Sequence, residues 1–337
     1  MNPFGVNVAQ AQYRAEKSGI KKIGQTAGLC VIGYVAVQNF IALVMMLLSL
    51  DTYYYTDAAF ESCANIIYTI LGVLVPFAIG GFYLRKKTGT EFLNFNKPKG
   101  GAASWLLVGF GLFTCLCADY VTSWIVTIAE YGGVELTSPE YGVPDDIPGR
   151  VIYTLSVAVI PPLCEELAMR GVVMQPLRKY GDKFAIIASA AVFAILHGNL
   201  VQAPFALMVG FVLGYIACVT ESLWIPIVVH ALNNLYSVIT EFMIEDIKDE
   251  EALNKWYTII LVALYVVSIA MTAIYFLKKD GNLKLDKKIT LLPGGQKAKA
   301  FMLNIPMIIA VIIMLVITSA YVSSGSDISS GITGFIS

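Results

Sequence analysis

Charged side chains are scarce in this sequence. Only 14% of its 337 residues are Asp, Glu, Lys or Arg, while 57% are hydrophobic. That balance excludes an ordinary water-soluble domain and indicates an all-α polytopic membrane protein, a bundle of transmembrane helices. The formal net charge is only −1, and no basic patch is interleaved with aromatics, so nucleic acid is not an expected partner. The six cysteines are Cys30, Cys63, Cys115, Cys117, Cys164 and Cys218. They lie mostly in apolar runs, Cys115-x-Cys117 is not a zinc spacing, and all read as small apolar residues. No secretory signal peptide is legible, because residues 1–24 are polar and the apolar run behind them is long enough to span a bilayer. Neither an internal repeat nor a second domain stands out.

Apolar runs between polar loops predict about nine membrane segments. They cover residues 25–50, 66–83, 104–128, 150–177, 184–198, 201–219, 223–243, 256–277 and 301–321. Residues 1–24 read as a basic cytoplasmic tail. Residues 51–65 read as an acidic loop whose Tyr53-Tyr54-Tyr55 suits an interfacial aromatic belt. Residues 130–149 form an acidic loop rich in Pro and Gly. The chain then divides into the tail, three segments over 25–149, a core over 150–244, and two segments with a short outer tail over 245–337.

Charge sets the orientation. Of the 23 Lys and Arg, Arg170 falls inside a segment, Arg150, Lys248 and Lys255 fall on one side, and all others fall on the opposite side. The positive-inside rule therefore predicts a cytoplasmic N-terminus and an outside C-terminus in a multi-pass cell-membrane protein. The basic loops would also attract anionic membrane lipids weakly.

Charge is concentrated where it is most costly. The stretch Pro161-Pro162-Leu163-Cys164-Glu165-Glu166-Leu167-Ala168-Met169-Arg170-Gly171 lies within the apolar run 151–177. Insertion scales assign roughly 2.5–3.5 kcal/mol to one charge at mid-helix. Glu166 and Arg170 are i,i+4 and can pair on one helical face. Glu165 is rotated by about 100° and is expected to keep a freer carboxylate. The two prolines are expected to break the helix, so that Leu163 to Arg170 begin a new half-helix with both glutamates near its positive dipole end.

Histidine is rarer still. There are only two, and both His197 and His230 fall inside predicted segments. Taken singly, each is as well explained as a buried, hydrogen-bonded side chain. Together with an intramembrane Glu pair they point to chemistry. Phe193 is i−4 from His197 and can limit its rotamers, while Asn234 is i+4 from His230 on one face. Such a set supports hydrolysis in two ways. A carboxylate can act as general base on water, a histidine sharing the proton and a His/Asn pair stabilising the oxyanion. Alternatively, Glu165, His197 and His230 can ligate a zinc that activates water. Spacing leaves both open.

Glu165-Glu166-x-x-x-Arg170, Phe193-x-x-x-His197 and His230-x-x-x-Asn234, in this order on successive segments, resemble the CPBP family of intramembrane proteases. This is the CAAX prenyl endopeptidase and bacteriocin-processing (Abi) family. Gly214-Tyr215 and Ser222-Leu223-Trp224-x-Pro226 match its flanks, and the resemblance covers residues 150–240. It implies an intramembrane endopeptidase acting on a CAAX-type, leader or bacteriocin-type peptide or a lipidated protein. It also implies Glu165 as general base with His197 assisting, Glu166 orienting the site through Arg170, and His230 with Asn234 as the oxyanion hole. The implied mechanism is glutamate-type without a cofactor, and zinc is the alternative. Two flanking positions depart from the pattern: Met169 stands where an aromatic is usual, and Glu221 where a glycine is usual. Both bear on substrate fit more than on chemistry.

Two other features compete for meaning. Asp119 also lies inside a segment, and pairing with Ser123 is as good an explanation as a second functional carboxylate. A non-catalytic transporter or scaffold is the rival class. A transporter predicts inverted repeats with paired broken helices, and only one Pro-broken segment is found.

Overall fold

The computed structural model describes residues 3–278, 284–285 and 287–324. The chain is helical at all nine predicted segments. It starts with α1 (Pro3–Leu47), α2 (Asp51–Thr56) and α3 (Ala58–Tyr68), and α3 runs through a π turn (Thr69–Leu74) into α4 (Val75–Thr88). A 3-10 turn leads into α5 (Leu107–Tyr131). The next long helix is α6 (Ile147–Thr154), α7 (Ile160–Glu166) and α8 (Gln175–Leu177), linked by π-helical stretches at Leu155–Val159 and Leu167–Met174. Then come α9 (Asp182–Leu196), α10 (Gln202–Thr220), α11 (Trp224–Asp246), α12 (Glu250–Lys278), α13 (Gly294–Met302) and α14 (Ile305–Ser319). Among the described residues, seven helices are long and apolar enough to cross a membrane, and α13 with α14 makes an eighth if that pair, bent by 73°, counts as one span. Helix α9 has 15 residues, about 22 Å, which falls short of a ~30 Å hydrocarbon core.

Three expectations change. The basic tail expected over 1–24 is helical over residues 3–24, as the start of α1, one helix of 45 residues. Ile20 and Ile23, one turn apart, are fully buried in the main core, which docks the first half of α1 onto the bundle. The 51–65 loop is helical as well: Asp57 caps α3 by accepting from the Ala59 and Phe60 amides, both at 3.0 Å. Finally, Pro161 and Pro162 do not break their helix, which runs from Ile147 to Tyr180. They open α7 directly after a π turn, where the i→i−4 ladder is already interrupted and a missing N–H removes little. Glu165 and Glu166 therefore sit mid-helix, away from any positive helix end.

The loops sort into two sets, as the charge asymmetry predicts. At one end Lys99 pairs with Glu221 at 2.8 Å, and the Leu223 amide donates to Asn94 O at 3.0 Å. There too, buried Lys297 donates to Tyr180 O at 2.6 Å, and Glu16 accepts from the Leu292 amide at 3.0 Å. At the other end Arg150 pairs with Asp246 at 2.6 Å, and Glu61 accepts from the Gly142 amide at 2.8 Å. A short antiparallel pair, β1 (Val134–Leu136) with β2 (Val322–Ser324), joins the 130–149 loop to the end of the described chain. The outer tail expected after the last segment lies outside the described residues, apart from β2.

The interior is stitched by close helix approach. A Cβ on Gly210 would meet Ala190 at 2.9 Å, and one on Gly214 would meet Ile186 at 3.2 Å. The Gly210-x-x-x-Gly214 pattern thus lets α10 lie against α9. Glu221 explains its own departure from the usual glycine: its φ is 49°, the left-handed region glycine favours. The exposed ion pair to Lys99 offsets part of that strain.

Candidate active site

Three helices bring the polar set together. The π-flanked helix α7 carries Glu165 and Glu166, α9 carries Phe193 and His197, and α11 carries His230 and Asn234. Glu166 and Arg170 are both fully buried and approach to 2.9 Å, the i,i+4 pair expected from spacing. The approach is an ion pair without an aligned hydrogen bond. Among the described residues, Glu166 Oε2 and Arg170 Nε and Nη1 have no hydrogen-bond partner. Arg170 Nη2 donates to Gly210 O at 3.3 Å, and its guanidinium lies 4.9 Å over the Phe193 ring. A buried cation is thus held by one carboxylate, one carbonyl and one aromatic face.

His230 links the two carboxylates. Its Nδ1 donates to Glu166 Oε1 at 3.1 Å. Its Nε2 stands 3.8 Å from Glu165 Oε2. Glu165 is 18% exposed against none for Glu166, so the freer carboxylate expected from helical rotation is present. Asn234 donates through Nδ2 to Val157 O at 3.0 Å. Val157 lies in the π turn ahead of the prolines, so that irregularity supplies an acceptor. One Asn234 amide hydrogen remains uncommitted.

His197 joins this group through an aromatic ring. It caps α9, with Nδ1 donating to Phe193 O at 2.8 Å, and its ring meets Phe193 edge-on at 4.8 Å. Phe193 also meets His230 edge-on at 5.9 Å. Phe193 therefore touches both imidazoles and Arg170. Among the described residues, no hydrogen bond or ion pair joins His197 to either glutamate. The fit to a metal is poor on the same grounds: no group of three or more His, Cys, Asp or Glu side chains converges at ligand geometry among the described residues.

Four neighbours escaped the sequence motifs. The Val157 carbonyl carries no side-chain signal at all. Gly210 was legible only as a packing residue, yet its carbonyl serves Arg170. Cys115 lies within electrostatic reach of Glu166, and Tyr34 of α1 within reach of Glu165. Met169 is completely buried, so that departure from the family pattern changes packing behind the site. Ser123 donates to the Asp119 main-chain carbonyl at 3.0 Å, so it does not pair with that carboxylate.

Comparison with known proteins falls on the same segment. Residues 147–236 match the family model of type II CAAX prenyl endopeptidase Rce1-like proteins. The chain is 28% identical over 212 residues to the membrane-embedded CAAX protease MroQ of Staphylococcus aureus (strain USA300), covering 60% of this chain and 81% of that protein. It is 25% identical over 140 residues to the putative membrane peptidase YdiL of Bacillus subtilis (strain 168), covering 41% of this chain and 55% of that one. No solved structure matches significantly.

Proposed function

We propose that this multi-pass membrane chain, whose residues 147–236 resemble the CAAX prenyl endopeptidase family, is an endopeptidase that hydrolyses a peptide bond by glutamate-activated water. The observation that carries this reading is the inequality of two adjacent carboxylates. Glu166 is sealed between Arg170 and His230, whereas Glu165 is partly exposed, with His230 Nε2 3.8 Å from it. Glu166 is suited to fixing the His230 tautomer, with Nδ1–H donating and the Nε2 lone pair facing Glu165. Glu165 is suited to taking a proton.

In the proposed sequence, Glu165 removes a proton from water as the oxygen attacks the scissile carbonyl carbon. The free amide hydrogen of Asn234 stabilises the oxyanion. The proton passes from Glu165 to His230 Nε2 and then to the leaving nitrogen, and the C–N bond breaks. His197, whose Nδ1 is committed to Phe193 O, presents its Nε2 lone pair as an assisting base. MroQ is named a CAAX protease, which supports a CAAX-type or leader-type peptide presented from the membrane as substrate. The zinc alternative needs Glu165, His197 and His230 to converge, and among the described residues no such group of three does.

Purified protein in liposomes, offered CAAX-type, prenylated and leader-type peptides with and without chelator, tests the reading. Cleavage that persists under exhaustive chelation and disappears in Glu165→Gln is expected. Activity lost to chelation and restored by zinc, with stoichiometric bound metal, would reinstate a metalloprotease.

A further inference from the structure

The site leaves out a second acidic group inside a span. Asp119 is the middle residue of α5, about 18 Å from either end. It is exposed, and among the described residues no Lys, Arg or His pairs with it. Helix α5 packs on α11 and α12 alike. A Cβ on Gly111 would meet Val229 of α11 at 2.6 Å, and one on Gly109 would run into Met271 of α12. The rings of Phe113 and Tyr265 stack edge-on at 6.1 Å. Helices α11 and α12 touch each other little, so α5 is the floor between them. Tyr236 of α11 and Tyr265 of α12 are both within electrostatic reach of Asp119 and of Tyr257. The Tyr236 hydroxyl is buried there against Tyr257.

A carboxylate facing lipid at mid-bilayer is costly unless a cation or a proton neutralises it. A second copy of this chain has no cation to offer at that depth. Arg170 is sealed against Glu166, and every other Lys and Arg lies outside the apolar runs of the sequence or at the edge of one. Charge complementarity therefore selects a different protein.

We propose that the face formed by α5, α11 and α12 docks a transmembrane helix of another protein that carries a Lys or Arg at mid-bilayer depth. Its cation pairs with Asp119. This surface does not depend on the proteolytic mechanism.

The test is association in liposomes between labelled full-length protein and single-span Leu/Ala peptides. The peptides carry Lys, Leu or Glu at the central position, or Lys moved two turns toward one end. The central-Lys peptide is expected to bind about tenfold more tightly than the Leu peptide, as an interhelical polar contact of this kind supports. Asp119→Asn and Asp119→Leu are each expected to erase that preference while leaving unfolding and peptide cleavage unchanged. Equal binding of the Lys and Leu peptides, a preference that survives both substitutions, or Asp119-dependent association of the protein with itself alone would overturn the proposal.

Discussion

Two acidic groups in this protein sit where a bilayer penalises charge, and they are handled in opposite ways. Glu166 has no exposed surface, and its cost is met inside the chain by Arg170 on its own helix and His230 on α11. Asp119 is exposed at the centre of α5 and has no cation among the described residues. The comparison shows that burial and pairing travel together. A charge that the fold intends to keep is enclosed by three helices, and one left at a surface awaits another molecule or a proton. Glu165 lies between these extremes, close to the paired group yet partly open, which suits a group that must change its protonation state.

Substitutions can break this contrast. The largest effect is expected at Glu165. Glu165→Gln should lower kcat by roughly 10²–10⁴-fold with little change in thermal unfolding, because it removes a base and almost no packing. Asp119→Asn, the matching change at the other centre, should leave kcat unaltered. A Glu165→Gln enzyme keeping more than about a tenth of wild-type kcat would contradict the assignment.

Next come Asn234 and His230 of α11. Asn234→Ala should reduce kcat by roughly 10²–10³-fold while KM moves less, as expected for a donor that acts mainly in the transition state. His230→Ala should do at least as much and should also lower stability, since it strips Glu166 of a partner. Steady-state kinetics on one peptide separate these effects, and a pure KM change for Asn234→Ala would remove it from the oxyanion site.

Arg170→Ala should cost about 3–5 kcal/mol of stability by leaving Glu166 buried and unpaired. Removing both charges, with Glu166→Gln and Arg170→Met together, should recover much of that loss. Unfolding in detergent reads both, and an Arg170→Ala protein that melts like wild type would show the ion pair to be dispensable.

The smallest effect is expected at Glu221, in the turn between α10 and α11. Glu221→Gly relieves a left-handed backbone but loses the exposed Lys99 pair. Left-handed strain of about 1 kcal/mol set against a surface pair of roughly 0–1 kcal/mol leaves stability within about 1 kcal/mol of wild type. Destabilisation well beyond that would mean the Lys99–Glu221 contact anchors the loop.

The sequence by itself determined the class, the places of the helices and the identity of the polar set. Those follow from local quantities: runs of apolar residues, the sidedness of Lys and Arg, and i,i+4 spacing. The Glu166–Arg170 pair was legible because both partners lie on one helix. Tertiary structure alone decided what each group faces. That His230 approaches both glutamates, that Phe193 touches both imidazoles, and that Asn234 bonds the Val157 carbonyl all depend on how α7, α9 and α11 cross. The prolines show the limit most plainly. Their local chemistry argues for a break, yet a π turn absorbs them, because packing on both sides makes one irregular turn cheaper than separating two half-helices inside a membrane.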